Sequence, residues 1–404
     1  MKIASSPALA AARLYSVYAL IGVTLAHLLN DAMQSAVPAV FPLLRQTLGL
    51  SFVQVGWIAF MLNVTACILQ PFIGSITDKR PMPLLLPGGM LFSLIGIIGM
   101  AYSSHFAGLL ISAMLLGIGS SVLHPESSRV AHLAASKGSG LAQSVFQVGG
   151  NTGQALAPLA VGFLVIPFGT KGLIMFAFAA VLGIALQYAV SRWYKQQLET
   201  PKTVKTTKVA VKHSRGFVAL AIGLLIVLLF SKFVYIASMT GYYSFYYIER
   251  FQRPFEDAQI PLFVLQFAGI LGTLLGGPLA DRFGRKKIIW FSIAGTAPFS
   301  LLLPYATPFW SFILCGLIGG ILMSGFSVII VYAQELLPGK IGTVSGLFFG
   351  LAFGLAGLGS VIMGWLIDQT DVSFVIHLCA YLPLLGLLAI FLPADAKLRG
   401  HTLG

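Results

Sequence analysis

A chain of 404 residues with 57% hydrophobic and only 9% charged residues, at a mean hydropathy of +0.90, lacks polar surface for a soluble domain, which carries about 25% charged residues. That composition excludes a soluble globular fold and points to a polytopic membrane protein. The net charge of +13 would suit a nucleic-acid binder, but its placement along the chain turns it toward lipid, and no nucleic-acid partner is expected.

A membrane helix needs about 20 largely apolar residues. Twelve segments qualify: 15–44, 52–75, 83–103, 106–131, 140–166, 171–191, 216–247, 257–280, 287–305, 308–333, 342–367 and 373–393. Ahead of the first, "SPALAAA" looks like a signal-peptidase site, but the apolar segment follows it, which argues against a cleaved leader. The first span carries "HLLNDAMQ", with His27, Asn30, Asp31 and Gln34. His27 and Asp31 are spaced i, i+4 and share one helical face. The second span ends in "GSITDKR", with Asp78 and Lys79. The fourth ends in "HPESSR", where His124, Glu126 and Arg129 flank Pro125, a residue expected to distort the helix. In the fifth, Gln143, Gln147, Asn151 and Gln154 recur at helical spacing among Gly149, Gly150 and Gly153; small residues of this kind let helices approach closely.

Residues 192–216 carry seven Lys/Arg against one Glu and read as a solvated basic linker. The seventh span holds Lys232 near its middle, followed by Tyr235, Tyr242, Tyr243 and Tyr246. "GPLADRFGRKK", from Gly277 through Asp281, Arg282 and Arg285 to Lys287, follows the eighth. The tenth runs into "AQE" at Glu335, and the eleventh repeats glycine at Gly346, Gly350, Gly354 and Gly357. Cys67, Cys315 and Cys379 all lie in apolar runs and read as packing residues, without a disulfide or metal pattern.

Basic residues set orientation. With the amino terminus inside, only Arg45, Lys171, Arg250 and Arg253 fall outside and Lys232 within a span; the other 20 Lys/Arg fall on the inner side, toward anionic headgroups. The halves repeat: Asp78 and Asp281 lie 203 residues apart, Glu126 and Glu335 lie 209 apart, and glycine-rich spans follow each glutamate. The expected fold class is therefore an all-α membrane protein of twelve transmembrane helices in two six-helix pseudo-repeats, both termini cytoplasmic. Residues 1–191 form the first bundle, 192–215 the linker and 216–404 the second bundle. A parallel repeat of this kind places a midplane site between the halves.

G-x-x-x-D-R-x-G-R-K, complete from Gly277 to Lys286, resembles the loop motif of the major facilitator superfamily, and the resemblance covers essentially the whole chain. In the first half Gly74, Asp78 and Lys79 match, but "RPMP" replaces the later part. "HLLND", "QPFIGSITDKRPMP", "HPESSRVA", "QSVFQVGGN" and "VYAQELLPGKIG" are similar to bacterial fosmidomycin resistance proteins. The resemblance implies export of an anionic phosphonate antibiotic in exchange for protons, in a bacterial inner membrane, by alternating access.

The residues carry that chemistry independently. An intramembrane charge costs about 2.5–3.5 kcal/mol and usually faces a bundle interior or cavity. A proton carrier needs a carboxylate whose affinity shifts with water access or partner charge; Asp31 fits, with His27 as tuner and Glu126 as a second candidate. The other reading is a polar contact that pins helix packing. The sequence shows no converging His/Cys set, so no metal site and no cofactor is expected. Lys232 with its tyrosines suits an anionic substrate, or compensates Asp31 across the cavity, the tyrosines then being belt residues. Gln34, His124, Arg129, Gln147 and Asn151 complete the substrate candidates, although Glu126 and Arg129, spaced i, i+3, also form a plausible structural pair. Asp78, Lys79, Gly277, Asp281, Arg282, Arg285 and Glu335 are the gating candidates, or simply surface charge that sets topology.

No G-x-x-x-x-G-K-[ST] is present, so the chain lacks the phosphate loop of an ATP-driven pump. A membrane enzyme is the rival class, but its best fragment, Gly325–Ser327 ("GFS"), has no paired base, and there is no H-E-x-x-H. No enzyme activity is expected, and the working unit is expected to be a monomer. A same-fold transporter that imports, or that carries another small organic anion, is the closer alternative.

Overall fold

The structure, a computed structural model, describes residues 7–134, 139–199, 214–337 and 341–395. Among these every regular element is helical: α1 Pro7–Ala39, α2 Phe41–Leu48, α3 Phe52–Lys79, α4 Leu85–Tyr102, α5 Phe106–Ala134, α6 Ser139–Ala160, α7 Met175–Leu198, α8 Arg215–Phe251, α9 Phe255–Phe283, α10 Arg285–Ala294, α11 Ala297–Leu302, α12 Pro308–Met323, α13 Phe326–Leu336, α14 Ile341–Gln369 and α15 Val372–Cys379. A 3₁₀ run, Leu382–Phe391, follows α15. The outer surface is what lipid demands and water would punish: Phe178 is 73% and Phe391 67% exposed, the apolar side chains facing hydrocarbon rather than solvent.

Eleven runs among the described residues are long and apolar enough to cross a membrane, against the twelve segments expected. The difference lies in Val145–Leu198, a run of 54 residues. As one straight helix it would reach about 80 Å, more than twice the ~30 Å of hydrocarbon. It is interrupted by a π turn at Val161–Val165 and a 3₁₀ segment at Ile166–Ile174, where Gly169 takes φ 64. The expected first span, 15–44, is divided at Val40, and α2 closes on Gly49 in the left-handed region at φ 64. The expected linker is helical at both borders, since α7 continues to Leu198 and α8 starts at Arg215; residues 200–213 lie outside the described ones. Pro125 does not break its helix, and α5 runs continuously through it.

Several starts are fixed by side-chain caps, which satisfy otherwise orphaned N–H groups. Ser51 and Gln54 form a reciprocal capping box on α3, Thr307 caps α12 and Asp371 caps α15. The α3 start has a second cap from far along the chain: Asp368, near the end of α14, accepts from the Phe52 and Val53 N–H groups, both at 2.8 Å. Below this cap α3 and α14 pack antiparallel. A Cβ at Gly56 would strike the Ser360 carbonyl, and one at Gly364 the Phe52 carbonyl. Tyr242 of α8 donates to Ser360 O at 2.6 Å, which fixes α14 at the point where it meets α3. The helices α6 and α9 make a further contact between the two parts of the chain, while α1 packs on α6 and α5.

Candidate functional site

The apolar face of α1 is interrupted by three fully or nearly buried polar side chains, His27, Asn30 and Asp31. Their partners come from three other helices. His27 Nε2 lies 3.3 Å from Asp31 Oδ2 within α1. From α5, His124 Nε2 lies 3.5 Å from Asp31 Oδ1. From α6, Gln154 Nε2 donates to Asp31 Oδ2 at 2.8 Å. Asn30 and Gln34 donate to Oδ1 at 3.1 and 3.5 Å, and Ser93 of α4 donates to Asn30 Oδ1 at 3.3 Å.

Close approach of α1 and α6 makes this possible. A Cβ at Gly150 would fall on the His27 imidazole and 2.8 Å from Asp31 Oδ2, and one at Gly153 would strike the Leu28 carbonyl. The glycines expected from sequence to pack helices therefore pack them at the buried charge. His27 is stacked on Phe146, ring centroids 4.1 Å apart. His124 meets the His27 ring edge-on at 4.9 Å and faces Phe353 of α14 at 6.2 Å, so it is the side of the cluster turned toward the second part of the chain.

The tautomers follow from the partners. His27 Nδ1 lies 2.9 Å from Phe146 O, and His124 Nδ1 lies 3.0 Å from Ser120 O. A carbonyl only accepts, so His27 Nδ1 carries a proton; His124 Nδ1 also lies 3.1 Å from Ser120 Oγ, and it takes the same tautomer when it donates to the carbonyl. In that tautomer each neutral imidazole leaves Nε2 without a proton, and both Nε2 atoms lie beside the Asp31 carboxylate. Lone pair against carboxylate oxygen is repulsive unless a cation lies between them. His27 Nε2, Asp31 and His124 Nε2 lie mutually within 4.8 Å. The expectation that no such donor set converges is thereby corrected, because His124 arrives from a different helix.

The remaining candidates are distributed elsewhere. Gln147 donates to Asn151 along α6 at 3.4 Å. Glu126, fully buried, faces Arg129 Nε at 3.4 Å, and the Arg129 guanidinium also donates to Thr77 O and Oγ1 at 3.1 and 3.2 Å. That pair ties α5 to the end of α3. The side chains of Asp78, Lys79 and Gln143 lie outside the described ones. Asp281 and Arg282 are exposed, Gly277 lies within α9, and Arg285 forms an ion pair with Glu335. Asp395 accepts from the Arg285 and Lys286 N–H groups at 2.7 and 3.3 Å, capping α10.

Lys232 is fully buried and turns to the main chain of α12 rather than to Asp31. Its Nζ donates to Leu322 O at 2.6 Å and lies 5.7 Å from the Phe326 ring. The cause is a break between α12 and α13 at Ser324–Gly325, which leaves carbonyls without a helical partner at the negative end of the α12 dipole. The ammonium takes one of them. "GFS" is thus a helix junction, where a Cβ at Gly325 would strike Ser292 Oγ. Tyr235, one turn on from Lys232 in α8, is buried; Tyr243 is buried further along α8 against Tyr246 and Tyr247, while Tyr242 and Tyr246 donate their hydroxyls to Ser360 O and Pro304 O.

Long apolar helices enclosing a buried polar cluster define the class as a multi-pass membrane protein. The family model of the Major Facilitator Superfamily matches residues 23–357 and 254–404, and the chain belongs to that family of transporters. It is 47% identical over 371 residues to the fosmidomycin resistance protein of Escherichia coli K12, covering 92% of this chain and 91% of that one. It is 42% identical over 390 residues to the MFS-type transporter YfnC of Bacillus subtilis 168, covering 95% and 94%. Two crystal structures of the nucleoside transporter NupG share the fold at 15% identity, with TM-scores of 0.70 and 0.69 over 93% of this chain and 98% of that one.

Proposed function

We propose that this protein is a proton-coupled antiporter that exports a small anionic phosphonate of the fosmidomycin type. The observation that carries the reading is the pair of imidazole Nε2 atoms turned onto Asp31 at 3.3 and 3.5 Å. A proton placed there converts a repulsive contact into a charge-assisted hydrogen bond, so the cluster has a reason to take one up and, once relieved by solvent on the other side, to release it. The similarity to the E. coli fosmidomycin resistance protein supports the cargo class.

In this reading the 54-residue run Val145–Leu198 is two crossings, which makes twelve. Residues 1–191 and 216–404 are the rocking halves, the basic linker lies in the cytoplasm, and the protein works as a monomer in the bacterial inner membrane. The end closed by Asp368 then faces outward. Lys232 has one N–H committed to Leu322 O and offers the ammonium's other donors to the anion, with Tyr235 one turn on and Tyr243 further along the same helix. Glu126 and Arg129 belong to the inner end of the first half, and Arg285, Glu335 and the two loop motifs form the gate there. One proton moving inward supplies about 2.3 kcal/mol per 100 mV.

Labelled fosmidomycin uptake into inverted vesicles tests the proposal. Uptake should require the proton gradient, and Asp31→Asn should abolish the coupled component at unchanged protein abundance. Uptake that persists after the gradient is collapsed refutes antiport.

A further inference from the structure

We propose that His27, Asp31 and His124 also form a binding site for a divalent transition metal, Zn²⁺ foremost, and that the bound metal competes with the coupling proton. The metal site itself stands on geometry alone; the competition rests on the antiport reading.

Three observations converge. First, tetrahedral Zn²⁺ with ligand bonds of about 2.0–2.2 Å holds its donor atoms roughly 3.3–3.5 Å apart. Here His27 Nε2 lies 3.3 Å from Asp31 Oδ2 and His124 Nε2 lies 3.5 Å from the other oxygen, Oδ1, and one donor atom from each of the three residues lies within 4.8 Å of the others, so a modest contraction of the cluster closes it on a metal. Second, both rings are held through Nδ1, as metal-binding imidazoles usually are: His27 by Phe146 O at 2.9 Å, and His124 by Ser120, through O at 3.0 Å and Oγ at 3.1 Å. Third, His27 Nε2 is fully buried 3.3 Å from Asp31 Oδ2 but makes no well-directed hydrogen bond to it or to any other group, so a buried ligand atom at the cluster is left unsatisfied.

A single proton does not complete this arrangement. It bridges one Nε2 to one carboxylate oxygen and leaves the other lone pair facing the same carboxylate. A divalent cation satisfies both imidazoles and the carboxylate together. Borderline-soft Zn²⁺ suits two nitrogens and one oxygen, whereas Mg²⁺ and Ca²⁺ prefer all-oxygen shells. Entry is available through His124, whose side chain is 19% exposed while that of His27 is 0%. Gln154, on Asp31 Oδ2 at 2.8 Å, orients the carboxylate.

The test uses the full chain, purified in detergent without a polyhistidine tag. Isothermal titration with Zn²⁺ alone should give one site per chain. His27→Gln and His124→Gln should each weaken binding at least tenfold, while His377→Gln, whose ring bonds only within α15, should leave it unchanged. X-ray absorption on the Zn²⁺-loaded wild type, which needs no variant to fold, should show nitrogen scatterers at imidazole distance. Absent binding, binding insensitive to both cluster variants, or an oxygen-only shell overturns the site. In inverted vesicles Zn²⁺ should inhibit wild-type gradient-driven flux; full flux with the site occupied overturns the competition. Failure of the antiport reading would appear separately, as gradient-independent uptake by metal-free wild type.

Discussion

Asp368→Ala removes a contact that joins widely separated parts of the chain, and its effect can be sized. Asp368 accepts two backbone N–H groups at the start of α3, both at 2.8 Å. Side-chain caps of this kind contribute about 0.5–2 kcal/mol, with carboxylate charge favoured at a helix N-terminus. Asp368 is solvent-exposed, which places the effect in the lower half of that range. A loss of about 1 kcal/mol changes a two-state population ratio about fivefold. Because Ser51 and Gln54 still cap α3, the loss falls on closure of this end rather than on the helix itself. Nitroxides introduced by Trp57→Cys and Trp365→Cys, two exposed positions flanking the contact, would report it by double electron–electron resonance. The background would have Cys67, Cys315 and Cys379 replaced. The short-distance population should fall about fivefold relative to the longer one. An unchanged distribution would refute the reasoning and assign closure to the glycine-lined face at Gly56 and Gly364 alone.

Gly150→Ala puts a methyl group on the His27 ring and should destabilise the purified protein by about 1–3 kcal/mol, as overpacking does. Gly88→Ala, with nothing within 4 Å of the new carbon, should not, and thermal melting distinguishes them. Lys232→Met keeps the buried stem and removes the ammonium. Phosphonate uptake should fall at least tenfold while a neutral analogue is unaffected, and equal losses for both would remove Lys232 from anion recognition. Asp395→Ala strips two N–H partners from the start of α10 and should cost about 0.5–2 kcal/mol. Arg285→Ala, losing a partly exposed ion pair with Glu335, should cost about 0–1 kcal/mol, so the melting temperatures should fall in that order.

What was legible in the sequence is what a single helix can encode. The i, i+4 spacing of His27 and Asp31 and the polar ladder on the fifth span are helical periodicities; in the structure His27 meets Asp31 and Gln147 meets Asn151 along their helices. His124 as a partner of Asp31 was not legible, because the meeting of α1 with α5 is a tertiary fact. "HPE" in one span and "HLLND" in another were its only trace. The Lys232 partner was hidden for a different reason: it is a main-chain carbonyl, and every residue has one. The available signal was Ser324–Gly325 inside an otherwise apolar run, a break that frees carbonyls. The twelve-segment count rested on hydropathy, which does not register that the fifth and sixth segments continue into one another through π and 3₁₀ turns.

The side chains of the cluster, His27, Asp31, His124 and Gln154, all precede residue 199, whereas Lys232, Leu322 and Phe326 all follow residue 214. On the proposed roles, ion handling and cargo charge are therefore written in separate stretches of gene. A hybrid that joins the first stretch to the second half of a relative would inherit its energy source from one parent and its cargo preference from the other. New cargoes could arise by recombination within the 200–213 stretch without rebuilding the coupling chemistry.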